Sequence, residues 1–209
     1  MNNLRKFSTE ADYSAATLNY PAVSWVVSGD TVHYDLSAST PTVNTKVKIA
    51  FTTDSCGTQY AVAGDSSMIN DGIVTAITVN GEALQLSSSM VALQLSANTD
   101  YLIEYSLADG VSDVGSYFAL GGPGGCSSNH YHYDILFPAQ VTNIGQLFTS
   151  YINTLILEST TPPTTSLSGS DIPSNIYVPD SAVSTYEETV WYHSGSIHPI
   201  SQYSGNIPV

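Results

Sequence analysis

Apolar and polar positions alternate in short runs along the middle of the chain, which is typical of β-strands rather than helices. The runs predict strands over residues 47–53, 73–79, 90–95 and 101–107. Between two of them, Asn80-Gly81 is typical of a tight hairpin turn. The pattern therefore predicts a small antiparallel sheet, or half of a β-sandwich, over residues 46–107.

The first 45 residues have a different pattern. Residues 8–18 begin with a capping residue and acidic groups, which predicts one short helix that ends before Pro21. Two strand-like runs, 22–27 and 31–36, flank Ser-Gly-Asp and predict a β-hairpin. A helix and hairpin of this size bury little surface alone, so we expect the segment to dock on another body.

Two stretches of eight residues nearly repeat one another thirty residues apart. They read VSDVGSYF at 111–118 and VTNIGQLF at 141–148, and a strand-like run follows the second at 152–160. An apolar turn, a glycine and then a short strand are typical of a solenoid coil, so the repeat is interpreted as a building unit. The predicted repeat core comprises Val111, Val114, Phe118, Val141, Ile144, Phe148, Leu155 and Leu157.

These patterns predict a mainly β protein. Its parts are a helix and hairpin anchor, a sandwich-like middle, two repeat coils and a terminal segment with a short helix. Their predicted bounds are 1–45, 46–107, 108–178 and 179–209.

Charge narrows the choice of partners. The formal net charge is −14, and all four basic residues lie in the first 48 positions. The remaining residues carry fourteen acids and neither Lys nor Arg. Such a surface repels phosphate, so nucleic acid and anionic membranes are excluded as expected partners. The sequence also contains no apolar run long enough to span a bilayer.

One cluster could carry metal chemistry. His130, His132 and Asp134 would share one face of a strand, and two imidazoles with a carboxylate could bind Zn or Ni. No third and fourth ligand accompanies the pair clearly, so an aromatic-rich loop or strand edge is the favoured interpretation. The glycines of 121–125 lack the Lys and Ser/Thr of a phosphate loop. We therefore predict no enzyme activity, no metal and no cofactor.

Two further features concern the cellular compartment. Cys56 and Cys126 are the only cysteines, and the sequence leaves their pairing open. The N-terminus has basic residues but no apolar stretch after them, so a classical signal peptide is not expected. Synthesis in a cytosol is the corresponding prediction.

Three segments resemble known families. PAQVTNIGQLFTSYINTLILESTTPP, at 138–163, resembles the leucine-rich repeats of the BspA-like type, in which a Val-Thr-x-Ile-Gly turn precedes Phe and a Leu-rich strand. Residues 172–203 resemble the terminal segment after such repeats in proteins of gut anaerobes and their phages. Residues 4–35 resemble the opening segment of structural proteins in tailed phages of gut bacteria, including crAss-like phages.

The resemblance implies a non-enzymatic virion protein, made in the host cytoplasm, that serves as a head fibre or capsid decoration. It would form a homodimer or homotrimer, bind the capsid or another virion protein, and adhere weakly to a host-surface glycan. The residues expected at the docking interface are Arg5, Lys6, Phe7, Tyr13 and Trp25. The alternative is a bacterial cell-surface adhesin of the BspA-like type, which would require export.

Overall fold

The protein is mainly β, as predicted, and its computed structural model divides into two compact units. The units are Met1–Val43 and Asn44–Val209. The structure describes residues 4–6, 22–27, 30–35, 44–53, 59–62, 66–84, 92–120, 132–193 and 196–209.

The first unit contains a three-stranded antiparallel sheet. Its strands are β1 (Leu4–Lys6), β2 (Ala22–Val27) and β3 (Asp30–Asp35), in the order β1-β3-β2. Pairing of β2 with β3 confirms the predicted hairpin, whereas β1 was not predicted. The helix predicted over 8–18 lies outside the described residues.

The second unit is built around one eight-stranded sheet. Its strands and helices are β4 (Lys46–Thr52), β5 (Gln59–Val62), α1 (Ser66–Asn70), β6 (Val74–Val79), β7 (Glu82–Ala83), β8 (Ala92–Leu95), β9 (Asp100–Leu107), β10 (Tyr133–Phe137), β11 (Asn143–Ile144), β12 (Ile152–Leu157), β13 (Thr164–Thr165), β14 (Ile176–Val178), α2 (Val183–Glu187) and β15 (Ile197–Pro199). The large sheet has the order β15-β14-β12-β10-β4-β9-β6-β7. Single 3₁₀ turns occupy Thr149–Tyr151, Gly169–Asp171, Asp180–Ala182 and Ile200–Gln202.

Half of this sheet is antiparallel. Strand β9 lies between β4 and β6, and β7 completes a hairpin with β6. Asn80 and Gly81 join that hairpin with φ of 50° and 85°, which confirms the predicted turn. Strands β5 and β8 pair separately as a two-stranded sheet.

The other half is parallel and repeats at a nearly constant interval. Ile135 of β10 lies opposite Leu155 of β12, which lies opposite Ile176 of β14, which lies opposite Ile197 of β15. The chain thus returns to the same position every 20 or 21 residues. A second, shorter parallel ladder joins Asp113 to Asn143 and β11 to β13.

One apolar core extends beneath both halves of the sheet, from Val47 to Ile197. The three segments expected after residue 45 therefore share a sheet and a core. In the core, Phe118 packs edge-to-face on Tyr105 and Phe137, with ring centroids 5.3 and 5.6 Å apart. This aromatic row links the antiparallel half to the parallel half.

The C-terminal residues cover part of the second face of the sheet. Ile207 is buried there in a small cluster with Leu136 and Ile156. The Tyr203 hydroxyl donates a hydrogen bond of 2.7 Å to the Asp134 carboxylate. Lys48 Nζ donates to the carbonyl of Pro208 at 2.9 Å. The C-terminal residues are therefore held against the sheet by apolar and polar contacts together.

Candidate functional site

The two copies of the repeated sequence stack directly on one another. Equivalent positions meet through backbone hydrogen bonds, from Thr142 N to Ser112 O at 2.7 Å and from Gly145 N to Gly115 O at 2.6 Å. Asn143 Nδ2 also donates to Asp113 Oδ1 at 2.7 Å. The two similar sequences therefore stack on each other, and each of these residues contacts the equivalent residue thirty positions away.

Glycine is required where the two copies touch. A Cβ on Gly145 would lie 2.6 Å from the carbonyl carbon of Gly115, closer than two unbonded carbons can approach. Gly115 itself has φ of +46°, and its amide donates to Asp113 Oδ1 at 2.8 Å. The first glycine therefore permits the turn, whereas the second permits the close approach of the copies.

After the glycine the two copies diverge. Phe118 in the first copy is fully buried, but Phe148 in the second is 45% exposed. The preceding residue, Leu147, is buried instead. The expectation that Phe148 belongs to the repeat core is therefore wrong. Phe148 immediately precedes the 3₁₀ turn Thr149–Tyr151, which leads directly into β12.

The other residues of the predicted repeat core lie inside or at the edge of the apolar core. Val111 is half-buried. The fully buried members are Val114, Phe118, Val141, Ile144, Leu155 and Leu157.

A groove of about 680 Å³ opens beside Phe148. Two chain segments line it, 146–152 and 166–174. Buried apolar side chains form its floor, namely Leu147, Ile152, Leu167, Ile172 and Pro173. Its rim consists of polar side chains and the Phe148 ring. We name this feature the Phe148 groove.

The rim of the Phe148 groove is rich in hydroxyl and carbonyl groups. Its polar members are Gln146, Thr149, Ser150, Ser166, Ser170, Asp171 and Ser174. Within the described part of the chain, no hydrogen bond engages these polar side chains. The groove thus combines an aromatic ring, the one side-chain amide of Gln146 and the carboxylate of Asp171, and all three are available to a ligand.

The predicted docking residues lie in the first unit. Arg5 and Lys6 are on β1, opposite His33 and Val32 of β3, and Trp25 is on β2. Phe7 and Tyr13 lie outside the described residues. The structure thus places three of these five residues on one antiparallel sheet.

The histidine cluster is only partly described. His132 is exposed, and His130 lies outside the described residues, as do Cys56 and Cys126. Asp134 accepts hydrogen bonds from Tyr203 and from Asn153 Nδ2, the latter at 3.0 Å. In the ranges that the structure describes, no three His, Cys, Asp or Glu side chains are grouped to hold a metal. Asp134 therefore serves to anchor the C-terminal residues.

Several ionisable side chains in and around the core have raised pKa values, and burial is the main cause in each case. Burial raises the pKa of Tyr105, Tyr133, Tyr186 and Tyr203, and the hydrogen bond to Asp134 adds to the shift of Tyr203. Burial also raises the pKa of Glu158, although the hydrogen bond from Asn44 opposes it. These tyrosines stay protonated at neutral pH, where they offer structural hydroxyls rather than catalytic bases.

The rim of the Phe148 groove was missed by sequence reasoning. Two signals were present: the copies differ after their glycine, Ser-Tyr-Phe against Gln-Leu-Phe, and residues 164–171 are dense in Ser and Thr. Neither signal shows that the two segments lie together, because their proximity depends on the stacking of successive coils.

The fold defines a mainly β protein with a stacked parallel half. No known protein family, curated protein or solved structure gives a significant match to this chain. Among the described residues, no helix is long and apolar enough to cross a membrane.

Proposed function

We propose that the chain is a non-enzymatic structural protein of a tailed-phage virion, a head fibre or capsid decoration. The first unit, Met1–Val43, docks it on the capsid or another virion protein. The second unit, Asn44–Val209, projects as an acidic body that forms a homodimer or homotrimer and adheres weakly to the host surface.

The division of the chain is the observation that carries this proposal. The second unit has its own sheet and core, so we expect it to fold without the first. It contains two lysines and fourteen acids, a formal charge of −12, whereas the first unit contains two basic and four acidic residues. A small, nearly neutral unit suits close contact with a partner, and a strongly acidic one suits solubility on a crowded surface.

The edges of the large sheet favour assembly through side chains. One edge strand, β7, has two residues, and the other, β15, ends in Pro199. Short strands and proline discourage a second chain from extending a sheet by backbone pairing. Subunits of a symmetric oligomer would therefore associate through side-chain surfaces and not through open-ended sheet growth.

The docking role is tested by incorporation into virions. We expect a protein that begins at Asn44 to stay folded but to be absent from purified particles. Arg5→Ala with Lys6→Ala should also reduce incorporation, since it removes both basic residues of the first unit.

A matched control separates docking from net charge. Ser184→Asp with Thr185→Glu adds two negative charges at exposed positions of the second unit, which gives the same total charge as the Arg5/Lys6 double variant. It should be incorporated normally. Equal loss in both double variants, or normal incorporation of the protein that begins at Asn44, would overturn the docking role.

The assembly role is tested by native mass. Full-length protein and the protein that begins at Asn44 should both be the same dimer or trimer. Monomers in both cases would contradict a self-assembling fibre.

The parallel half favours one second candidate, a bacterial surface adhesin of the BspA-like type. Its strands recur every 20 or 21 residues, and a second short ladder runs through Asn143 and Thr164, as expected of stacked repeats. Recovery of the protein from bacterial surfaces, and not from virions, would favour this candidate over the first.

A further inference from the structure

We propose that the Phe148 groove is a binding site for a neutral saccharide, with one sugar ring against Phe148. This inference rests on the proposed adhesion role for its biological meaning, and it names the ligand class and the residues that would hold it.

The dimensions of the groove suit a short oligosaccharide. Its volume of about 680 Å³ lies within the range of pockets that hold small organic ligands, roughly 300–1,000 Å³. The buried floor fixes the shape, since Leu147, Leu167 and Ile172 belong to the apolar core. A site on such a floor is largely formed before the ligand arrives.

The aromatic ring supplies the apolar contact that a sugar needs. Phe148 is one of the few large apolar side chains exposed in the described part of the chain, and it stands at the rim of the groove. The face of an aromatic ring carries partial negative charge, which attracts the weakly positive C–H groups on one side of a pyranose ring. Burial of Phe148 by a ligand would also remove its apolar surface from water.

The polar rim supplies matching hydrogen bonds. Asp171 can accept from two sugar hydroxyls, and the amide of Gln146 can both donate and accept. The hydroxyls of Ser150, Ser166 and Ser170 can do either, according to the ligand. All of these side chains are exposed and have no hydrogen bond within the described residues, so binding breaks no protein contact.

Charge selects the class of sugar. Among the described residues that line the groove, Asp171 alone is ionisable, and the surrounding unit is strongly acidic. A sialylated, sulfated or phosphorylated sugar would therefore be repelled, whereas a neutral one would not.

The experiment exposes full-length protein to an array of immobilised neutral oligosaccharides, including maltotriose, lactose and chitotriose, with sialyllactose as the anionic comparator. We expect binding to at least one neutral sugar and none to sialyllactose. Phe148→Ala should weaken the binding by roughly tenfold or more, and Asp171→Asn should also weaken it.

Tyr192→Ala is the matched control, because Tyr192 is also 45% exposed but does not line the groove. It should bind as the unaltered protein does. Failure to bind any neutral sugar, preference for sialyllactose, or equal loss in Phe148→Ala and Tyr192→Ala would overturn the proposal.

Measuring virion incorporation and sugar binding of the unaltered protein side by side keeps the two proposals separable. Normal incorporation of an unaltered protein that binds no sugar would refute the saccharide site alone. Sugar binding by a protein that never enters virions would refute the virion role alone.

Discussion

The two copies of the repeated sequence are alike as far as their glycine and different after it. Up to that point, residues 111–115 and 141–145 stack position on position. Beyond it, the first copy buries Phe118, and the second buries Leu147 and exposes Phe148. The shared part is fixed by contact between the copies, whereas the remaining part is free to serve either the core or the surface.

The difference also explains where a site could form. The first copy lies under the aromatic row of Tyr105 and Phe137, so its phenylalanine completes a core. The second is followed at once by a 3₁₀ turn, and its phenylalanine borders a groove instead. One building unit thus yields a packing position in one coil and a candidate binding position in the next.

The largest expected difference in the free energy of unfolding is between alanine variants of Phe118 and Phe148. Phe118→Ala removes a fully buried ring and should lower the free energy of unfolding by about 3–5 kcal/mol. Phe148→Ala should change it far less, by about 0.5 kcal/mol, because the side chain is 45% exposed and lies outside the apolar core. Urea denaturation of both variants measures the difference. Similar losses would contradict the divergence of the copies.

A smaller difference in stability is expected between alanine variants of Gly145 and Gly115. Gly145→Ala places a methyl group against Gly115 and should cost about 3 kcal/mol through overpacking. Gly115→Ala meets nothing closer than 3.8 Å and should cost about 1 kcal/mol for its positive φ. Thermal unfolding of the two variants ranks them. A greater loss for Gly115→Ala would show that the turn, and not the contact, limits the stack.

The side-chain hydrogen bonds of Asn143, which link the two copies, should contribute still less to stability. Asn143 donates to Asp113 and accepts from the Thr164 hydroxyl at 2.8 Å. Asn143→Ala should therefore cost about 1 kcal/mol, a typical net value for such hydrogen bonds. Ser150→Ala, at an exposed position without a described partner, is the control and should be neutral. The midpoint of urea unfolding distinguishes them.

The smallest effect concerns the tyrosine that packs on the first copy. Tyr105 is fully buried, and its hydroxyl has no hydrogen-bond partner among the described residues. Tyr105→Phe should leave stability unchanged or raise it by up to about 1 kcal/mol. Tyr186 is equally buried, but its hydroxyl donates to Ser159 O at 2.9 Å. Tyr186→Phe should lower stability by about 1 kcal/mol, so the two variants should differ in sign.

Local chemistry made part of the fold predictable. Asn80-Gly81 specified a turn because both residues tolerate positive φ, and the repeated apolar turn specified a stacking unit. The parallel partners β10 and β15 were missed. Tyr133–Phe137 is an apolar run without alternation, and Ile197–Pro199 is too short to stand out. Their pairing depends on contacts between residues 20 or 21 positions apart, which no local pattern encodes.

The candidate groove was less predictable than the fold. Phe148 was expected inside because it aligns with Phe118, but the turn after it reverses its exposure. The serines of its far wall resemble an ordinary loop in sequence. Only the stacking of one coil on the next brings them opposite Phe148.

Amide hydrogen exchange tests the stacking of the two copies most directly. The amides of Val114, Thr142 and Gly145 each donate to the other copy, at 3.1, 2.7 and 2.6 Å. The account predicts that all three exchange slowly, with protection comparable to that of the amides in β10 and β12. Exchange as fast as in an unstructured peptide at these three positions would contradict it and leave the repeat without a structural role.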